Sequence, residues 1–94
     1  MPYVYIIQSV EDNSFYVGWT TDLKIRLEYH NTISKNIGVT NRKIPWRYYY
    51  VLEVQNAAIA IKIERHIKRM KSRKYIENLV KYKDIGARLI KKYS

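Results

Sequence analysis

Alternating apolar and polar residues predict a β-hairpin at the start of the chain. Runs of β-forming residues cover about 3–8 and 14–19, and turn-forming residues fill the segment from Ser9 to Ser14. This arrangement is typical of a hairpin. A third run, over about 46–54, is rich in aromatic and β-branched residues and predicts a third strand. We expect the tyrosines at 48–50 in that run to take part in ordinary sheet packing, which we favour over a platform for stacking nucleic-acid bases.

The register of the hairpin decides which side chains share a face of the sheet. If Ser9 pairs with Ser14, Tyr5 lies opposite Gly18, and Tyr16 lies further along on the same face. We therefore expect two phenol groups on one face. Gly18 has no side chain and is expected to leave room beside Tyr5, where a ligand approaches the backbone.

Apolar residues with a helical period predict four helices, which make the fold class α+β. Thr20 or Thr21 is the expected N-cap of the first helix, while Asn56 and Ser72 are expected to cap the second and third. Met70 should close the apolar stripe of the second helix. The helices are expected over about 21–31, 57–71, 73–81 and 84–92.

Length and composition restrict the class of protein. The 94 residues suffice for a single small domain over 1–94. The chain has no cysteine, which excludes thiolate chemistry, and its two histidines are too few for a histidine-based metal cage. We see neither a secretion signal nor a membrane-spanning run, so the expected location is the cytoplasm. The polar segment from 31 to 45 is long for a loop, which favours contact with a ligand.

The charge of the chain indicates its partner. Eighteen Lys and Arg residues against eight Asp and Glu residues give a formal net charge of +10. This balance favours a polyanion, with nucleic acid ahead of an anionic membrane surface, although a lysine-rich surface that only aids solubility is the simpler alternative. The expected nucleic-acid contacts come from one loop residue and a dense basic stretch: Arg42, Lys62, Arg65, Lys68, Lys71, Arg73 and Lys74.

Three more residues are candidates for chemistry, each with a structural alternative. Arg26 and His30 share a face of the first helix because they are four residues apart. Arg26 is equally explained as a charge that extends from the core edge to water, and His30 is more simply explained by the dipole at a helix C-terminus. Glu64, the single acid of the basic stretch, either forms an ordinary pair with Lys68 or binds a divalent cation.

In their order and spacing, these residues resemble the GIY-YIG nuclease superfamily, in particular its small single-domain bacterial branch. Tyr3-Val4-Tyr5 and Tyr16-Val17-Gly18 are similar to the two triplets of the family. The resemblance continues through the arginine-bearing helix and Pro45-Trp46 to the segment from Ala60 to Lys74, and covers roughly 3–80. It implies a three-stranded antiparallel sheet packed with helices, and phosphodiester hydrolysis at one divalent metal ion.

The resemblance also implies a role for each candidate residue. Tyr5 would take a proton from the attacking water, Tyr16 would position the water or the phosphate, and Arg26 would neutralise charge on the scissile phosphate. His30 would match a histidine that is present in part of the family. Glu64 would hold Mg²⁺ or Mn²⁺, which binds weakly until the substrate phosphate arrives.

The match to the family has departures. Tyr3 replaces a glycine of the first triplet, Val17 replaces an isoleucine of the second, and Asn78 is only an approximate counterpart of a downstream asparagine. We expect a metal-dependent endonuclease that acts on DNA in preference to RNA, with a protein partner as one source of specificity. The alternatives are a non-catalytic nucleic-acid-binding module on the same fold and a basic adaptor for an acidic protein.

Overall fold

The computed structural model describes residues 1–32 and 43–94, which form an α+β fold as predicted. Its strands are β1 (Tyr3–Ser9), β2 (Phe15–Thr20) and β3 (Trp46–Glu53), and its helices are α1 (Leu23–Asn31), α2 (Ala57–Met70), α3 (Arg73–Lys81) and α4 (Lys83–Tyr93). Each element ends within two residues of its predicted bounds. None of the helices in these ranges has the length and apolar character that crossing a membrane requires.

The strands form one antiparallel sheet in the order β2-β1-β3, so β1 is central. The hairpin has the predicted register, in which Tyr5 pairs with Gly18. The Ser9 N–H donates to the carbonyl of Ser14 over 2.9 Å, and Asn13 closes the turn at a φ of 63°, a conformation that asparagine tolerates well. Tyr5 and Tyr16 therefore share one face.

The two faces of the sheet bury different kinds of residue. Helices α2, α3 and α4 cover one face with an aliphatic core that includes Val4, Ile6, Ile63, Ile67 and Leu79. Helix α1 covers part of the other face, where the packed side chains are mainly aromatic. This second cluster contains Tyr5, Ile7, Tyr16, Leu23, Leu27, Ile44, Trp46 and Tyr48.

The helix caps match the predictions in two cases out of three. Asn56 caps α2 and Ser72 caps α3, each accepting a backbone N–H of the first turn. Helix α1 is capped by Asp22, not by Thr20 or Thr21, because the helix begins two residues later than expected. Thr20 accepts the Asp22 N–H over 3.1 Å and so holds the capping residue in place.

Two packing details differ from the sequence pattern. Met70 is 44 % exposed although it lies in line with Ile59, Ile63 and Ile67, and it is the last residue of α2. A register shift in β1–β3 pairing places Tyr48 on the aromatic face, whereas Tyr49 and Tyr50 pack on the aliphatic core. The three tyrosines pack against the sheet, as expected.

Candidate active site

Tyr5 lies at the centre of the aromatic face and is 2 % exposed. Opposite it on β2 is Gly18, where an added Cβ would lie 2.5 Å from Tyr5 Oη and 2.7 Å from Tyr5 Cζ. No other residue type fits at this position without displacing the phenol ring. The room beside Gly18 is therefore filled by Tyr5 itself, and the expectation of a gap for a ligand was wrong at this position.

A buried hydrogen bond joins Tyr5 to His30, which lies on the last turn of α1. The distance from Tyr5 Oη to His30 Nε2 is 2.8 Å, and His30 is only 4 % exposed. Burial, and to a smaller extent the charge of the nearby Arg26 guanidinium, lower the pKa of His30 to about 4. An imidazole that is neutral at pH 7 gains little from a helix dipole, so the simpler explanation for His30 was wrong.

Both members of this pair are neutral at pH 7, so the tautomer of His30 sets the direction of the hydrogen bond. Burial raises the pKa of the Tyr5 phenol above its usual value, so the phenol is protonated at neutral pH. His30 is neutral there and carries its proton on one of its two ring nitrogens. With that proton on Nδ1, the Tyr5 hydroxyl donates to His30 Nε2, and a proton leaving Tyr5 has an acceptor; with it on Nε2, His30 donates to Tyr5 Oη.

Tyr16 completes the aromatic side of the site. Its ring centroid lies 5.2 Å from that of His30 and 6.5 Å from that of Trp46. The Lys68 ammonium lies 5.8 Å from the Tyr16 centroid, so α2 also reaches this side of the sheet. The structure thus brings Tyr16 together with Tyr5 and His30.

Arg26 supplies the positive charge of the site. Burial has the largest effect on the pKa values of Tyr5, His30 and Tyr48, and the charge of Arg26 has the next largest. The charge of Arg26 lowers all three values. Its guanidinium carbon lies 5.5 Å from the centroid of the Tyr29 ring. The side chain is half-buried. A cation held in this position stabilises negative charge that develops near Tyr5.

Glu64 supplies a carboxylate from α2. Its Oε1 lies 3.5 Å from Lys68 Nζ, and the Glu64 side chain is 17 % exposed compared with 49 % for Lys68. Burial is the main reason why the pKa of the Tyr5 phenol is raised. The negative charge of Glu64 also raises this pKa, by a smaller amount. Glu64 is therefore more buried than a member of an ordinary surface pair and lies within electrostatic reach of the tyrosine.

The chemistry of this carboxylate fits a weakly held divalent cation. Within residues 1–32 and 43–94, no group of three or more His, Cys, Asp or Glu side chains is arranged to hold a metal ion. Mg²⁺ bound by one carboxylate keeps several of its waters and gains affinity from a substrate phosphate. Because Lys68 already pairs with Glu64, a cation at this carboxylate has to compete with the ammonium group.

Two residues that the sequence analysis missed hold α1 in position. The hydroxyl of Tyr48 donates to the carbonyl of Leu23 at the start of the helix. At its other end, Asn31 Nδ2 donates to the Trp46 carbonyl over 3.0 Å, and Asn31 Oδ1 accepts the Trp46 N–H over 2.5 Å. The only sequence signal was a polar residue directly after His30. These bonds fix the helix that carries Arg26 and His30.

The residues predicted to bind nucleic acid lie on more than one surface. On α2, the spacing places Lys68 on the flank of Glu64 and Lys62 on the opposite flank, with Arg65 between them. The six predicted basic residues between positions 62 and 74 all have exposed side chains: Lys62, Arg65, Lys68, Lys71, Arg73 and Lys74. Lys68 therefore lies at the candidate site, whereas Lys62 points away from it.

Two of the predicted residues, Arg73 and Asn78, lie on α3. Arg73 donates to the Asn13 carbonyl over 2.9 Å, and its guanidinium carbon lies 4.4 Å from the Phe15 centroid, so it ties α3 to the hairpin. Asn78 lies on α3, and its carbonyl accepts the N–H of the helix C-cap. In the described part of the chain, no hydrogen bond joins the Asn78 side chain to the tyrosines. Arg42 lies outside the described residues.

This basic α+β domain combines a buried tyrosine–histidine pair, which can exchange a proton, with an arginine and a carboxylate. The family model for the GIY-YIG catalytic domain matches residues 1–77. The chain therefore belongs to the GIY-YIG family, a family of nucleases, as the resemblance implied.

Curated relatives support this assignment. A UPF0213 protein of Streptococcus pneumoniae serotype 4 is 32 % identical over 69 residues, which cover 73 % of this chain and 68 % of the relative. A UPF0213 protein of Streptococcus pyogenes serotype M3 is 37 % identical over 73 residues, with coverages of 76 % and 75 %. A UPF0213 protein of Syntrophus aciditrophicus is 31 % identical over 68 residues, with coverages of 72 % and 77 %. No solved structure matches the chain.

Proposed function

We propose that this protein is a metal-dependent endonuclease that hydrolyses phosphodiester bonds in nucleic acid, with DNA as the preferred substrate. The observation that carries the proposal is the buried hydrogen bond between Tyr5 and His30. Arg26 and Glu64 both lie within electrostatic reach of this bond. Membership of a nuclease family supports the reaction class.

The hydrogen-bonded pair provides a path for the proton of the attacking water. A phenol of ordinary pKa is about three units too weak a base at pH 7, and burial of Tyr5 adds to that deficit. The deficit is avoided if no free phenolate forms. With the His30 proton on Nδ1, the water proton passes to Tyr5 Oη while the phenol proton passes to His30 Nε2, as the water oxygen attacks phosphorus. The P–O bond to the leaving nucleotide oxygen breaks, and that oxygen takes a proton from solvent.

The surroundings of the pair favour this transfer once a phosphate is bound. In the free protein, the charge of Arg26 opposes a positive charge on His30. A phosphate next to Arg26 neutralises that charge, so the histidine becomes a better proton acceptor when substrate is present. Tyr16 lies beside His30, where its hydroxyl can orient the water or a phosphate oxygen.

Glu64 is the residue that would hold the divalent cation. When bound, such an ion would acidify water and neutralise charge on the phosphate. The protein contributes one carboxylate, and Lys68 balances the charge of that carboxylate in the absence of metal. We therefore expect cleavage to need Mg²⁺ or Mn²⁺ at concentrations that saturate a weak site.

A cleavage screen tests the proposed function. Branched, nicked, duplex and single-stranded DNA and RNA are incubated with the protein and Mg²⁺ or Mn²⁺, with chelator as the blank. Tyr5→Phe and Tyr49→Phe form a matched pair, because each removes one hydroxyl and the second lies on the opposite face. We expect metal-dependent cleavage by the unaltered protein and by Tyr49→Phe, and none by Tyr5→Phe. Binding without cleavage of any substrate would favour a non-catalytic module.

A further inference from the structure

A second group of aromatic and basic side chains lies between α2, α3 and α4, away from Tyr5. His66 Nδ1 lies 2.8 Å from Tyr93 Oη, and Arg69 donates to the same oxygen over 3.4 Å. Lys92 Nζ lies 5.4 Å from the Tyr93 ring centroid, and the His66 and Tyr75 centroids are 6.0 Å apart. We call these five residues the Tyr93 cluster.

The Tyr93 cluster has an excess of positive charge. Burial lowers the pKa of His66, and Lys92 and then Arg69 add to this effect, so both cations lie within electrostatic reach of the imidazole. The ion pairs in residues 1–32 and 43–94 involve neither cation, since they join Lys43 to Asp12, Lys68 to Glu64 and Arg88 to Asp84. Two exposed cations held near each other without a carboxylate favour an anionic ligand.

The position of the cluster on α2 indicates how large that ligand is. Glu64 and Lys68 share one flank of the helix, His66 and Arg69 share the other, and the exposed Arg65 lies between them. A helix with its side chains is about 10–12 Å across, which is about three nucleotides of a DNA strand. A polyanion that crosses α2 therefore meets cations on both flanks.

We propose that the Tyr93 cluster is a second contact for the nucleic-acid backbone, so that the substrate leaves the Tyr5 site across α2 and over Arg65. Arg69 and Lys92 bind phosphates, and the Tyr93 and Tyr75 rings offer apolar surface to the sugars and bases. This inference rests on the proposed function for the identity of the ligand. It adds a binding surface that the tyrosine site does not require.

The test measures the salt dependence of DNA binding by the full chain. Fluorescence anisotropy with a duplex of about twenty base pairs gives Kd over a series of NaCl concentrations. The variant is Arg69→Ala with Lys92→Ala. Its control is Lys81→Ala with Lys83→Ala, which removes the same charge from exposed positions outside the cluster. Thermal unfolding checks that both variants fold.

The loss of two phosphate contacts reduces the slope of log affinity against log salt by about 1.8. We expect this reduction in the cluster variant, with the control within about 0.5 of the unaltered protein. Equal slopes in the two variants would overturn the proposal. So would tight binding of poly-glutamate together with a DNA affinity that is the same in both variants, because the surface would then suit an acidic protein.

The length of the DNA separates this inference from the proposed function. A substrate that ends within about two nucleotides of the cleaved bond is too short to cross α2, so its cleavage should respond alike to both variants. A longer substrate should show a raised KM in the cluster variant only. If DNA is cleaved but KM never depends on the cluster, the inference fails and the proposed function stands. If the slope falls but nothing is cleaved, the proposed function fails alone.

Discussion

Two tyrosine–histidine pairs in this protein share the same hydrogen-bond length in different surroundings. Tyr5 and His30 are 2.8 Å apart, as are Tyr93 and His66, and each pair has an arginine nearby. The first pair is almost fully buried, and Glu64 lies within electrostatic reach of it. The second is only partly buried.

The difference shows that surroundings determine what such a pair can do. Burial keeps Tyr5 and His30 neutral at pH 7, and one hydrogen bond joins them, as the proposed proton path requires. The Tyr93 pair has two unneutralised cations beside it and is open to solvent, which is an arrangement for binding an anion. Composition alone does not distinguish the two sites.

Removal of the Tyr5 hydroxyl should have the largest effect. Tyr5→Phe interrupts the proposed proton path, and we expect single-turnover cleavage to fall by roughly 10²–10⁴-fold. Because the buried His30 Nε2 loses its hydrogen-bond partner, unfolding in urea should show a loss of stability of about 1–3 kcal/mol. Full activity in Tyr5→Phe would mean that the Tyr5–His30 pair is no more catalytic than the Tyr93–His66 pair.

Removal of Arg26 should come next. Arg26→Ala removes the charge that we propose stabilises the phosphate and the developing negative charge, and we expect kcat to fall by roughly 10²–10³-fold. Lys24→Ala on the exposed side of the same helix is the control. Arg69, the arginine next to the Tyr93–His66 pair, should affect KM instead. If Arg26→Ala also raised only KM, both arginines would be binding residues.

The two histidines should differ in how they link stability to pH. The pKa of His30 is about 4 in the folded protein against 6.5 when unperturbed, so the unfolded chain binds more protons between these values. The free energy of unfolding should therefore fall by on the order of 3 kcal/mol as the pH drops from about 6.5 to 4. Urea unfolding across this range measures it.

Two histidine variants show which residue causes the pH dependence of the free energy of unfolding. His30→Gln should remove most of this dependence, whereas His66→Gln should remove less, because His66 is more exposed. Equal effects of the two variants would contradict the difference in burial between the pairs.

The smallest effect should come from the ion pair next to the first site. Lys68→Ala breaks a half-exposed pair with Glu64, which should cost less than about 0.5 kcal/mol of stability. It also removes the cation that competes for the carboxylate, so Mn²⁺ should bind more tightly in titration calorimetry. Unchanged Mn²⁺ affinity would mean that Glu64 is not the metal ligand.

The hairpin half of the site could be predicted from sequence because its determinants are local. The turn from Ser9 to Ser14 fixes the register, and the period of two then places Tyr5 and Tyr16 on one face. The caps of α2 and α3 follow from the same kind of local rule. What Gly18 accommodates was not predictable, because its neighbour is the ring across the strand.

The rest of the site depends on packing between distant segments. His30 meets Tyr5 across 25 residues, and no local pattern distinguishes that contact from a histidine at a helix end. The register shift that sends Tyr48 to one face and Tyr49 to the other is likewise set by pairing with β1. The Tyr93 cluster was missed because its residues come from three helices.

A double-variant cycle between Tyr5→Phe and His30→Gln tests the central claim most directly. Glutamine keeps an acceptor for the Tyr5 hydroxyl but cannot take its proton. If the two residues form one proton path, single-turnover cleavage by the double variant should be no slower than by Tyr5→Phe alone. Losses that multiply in the double variant would show that the residues act independently and would contradict the proton path.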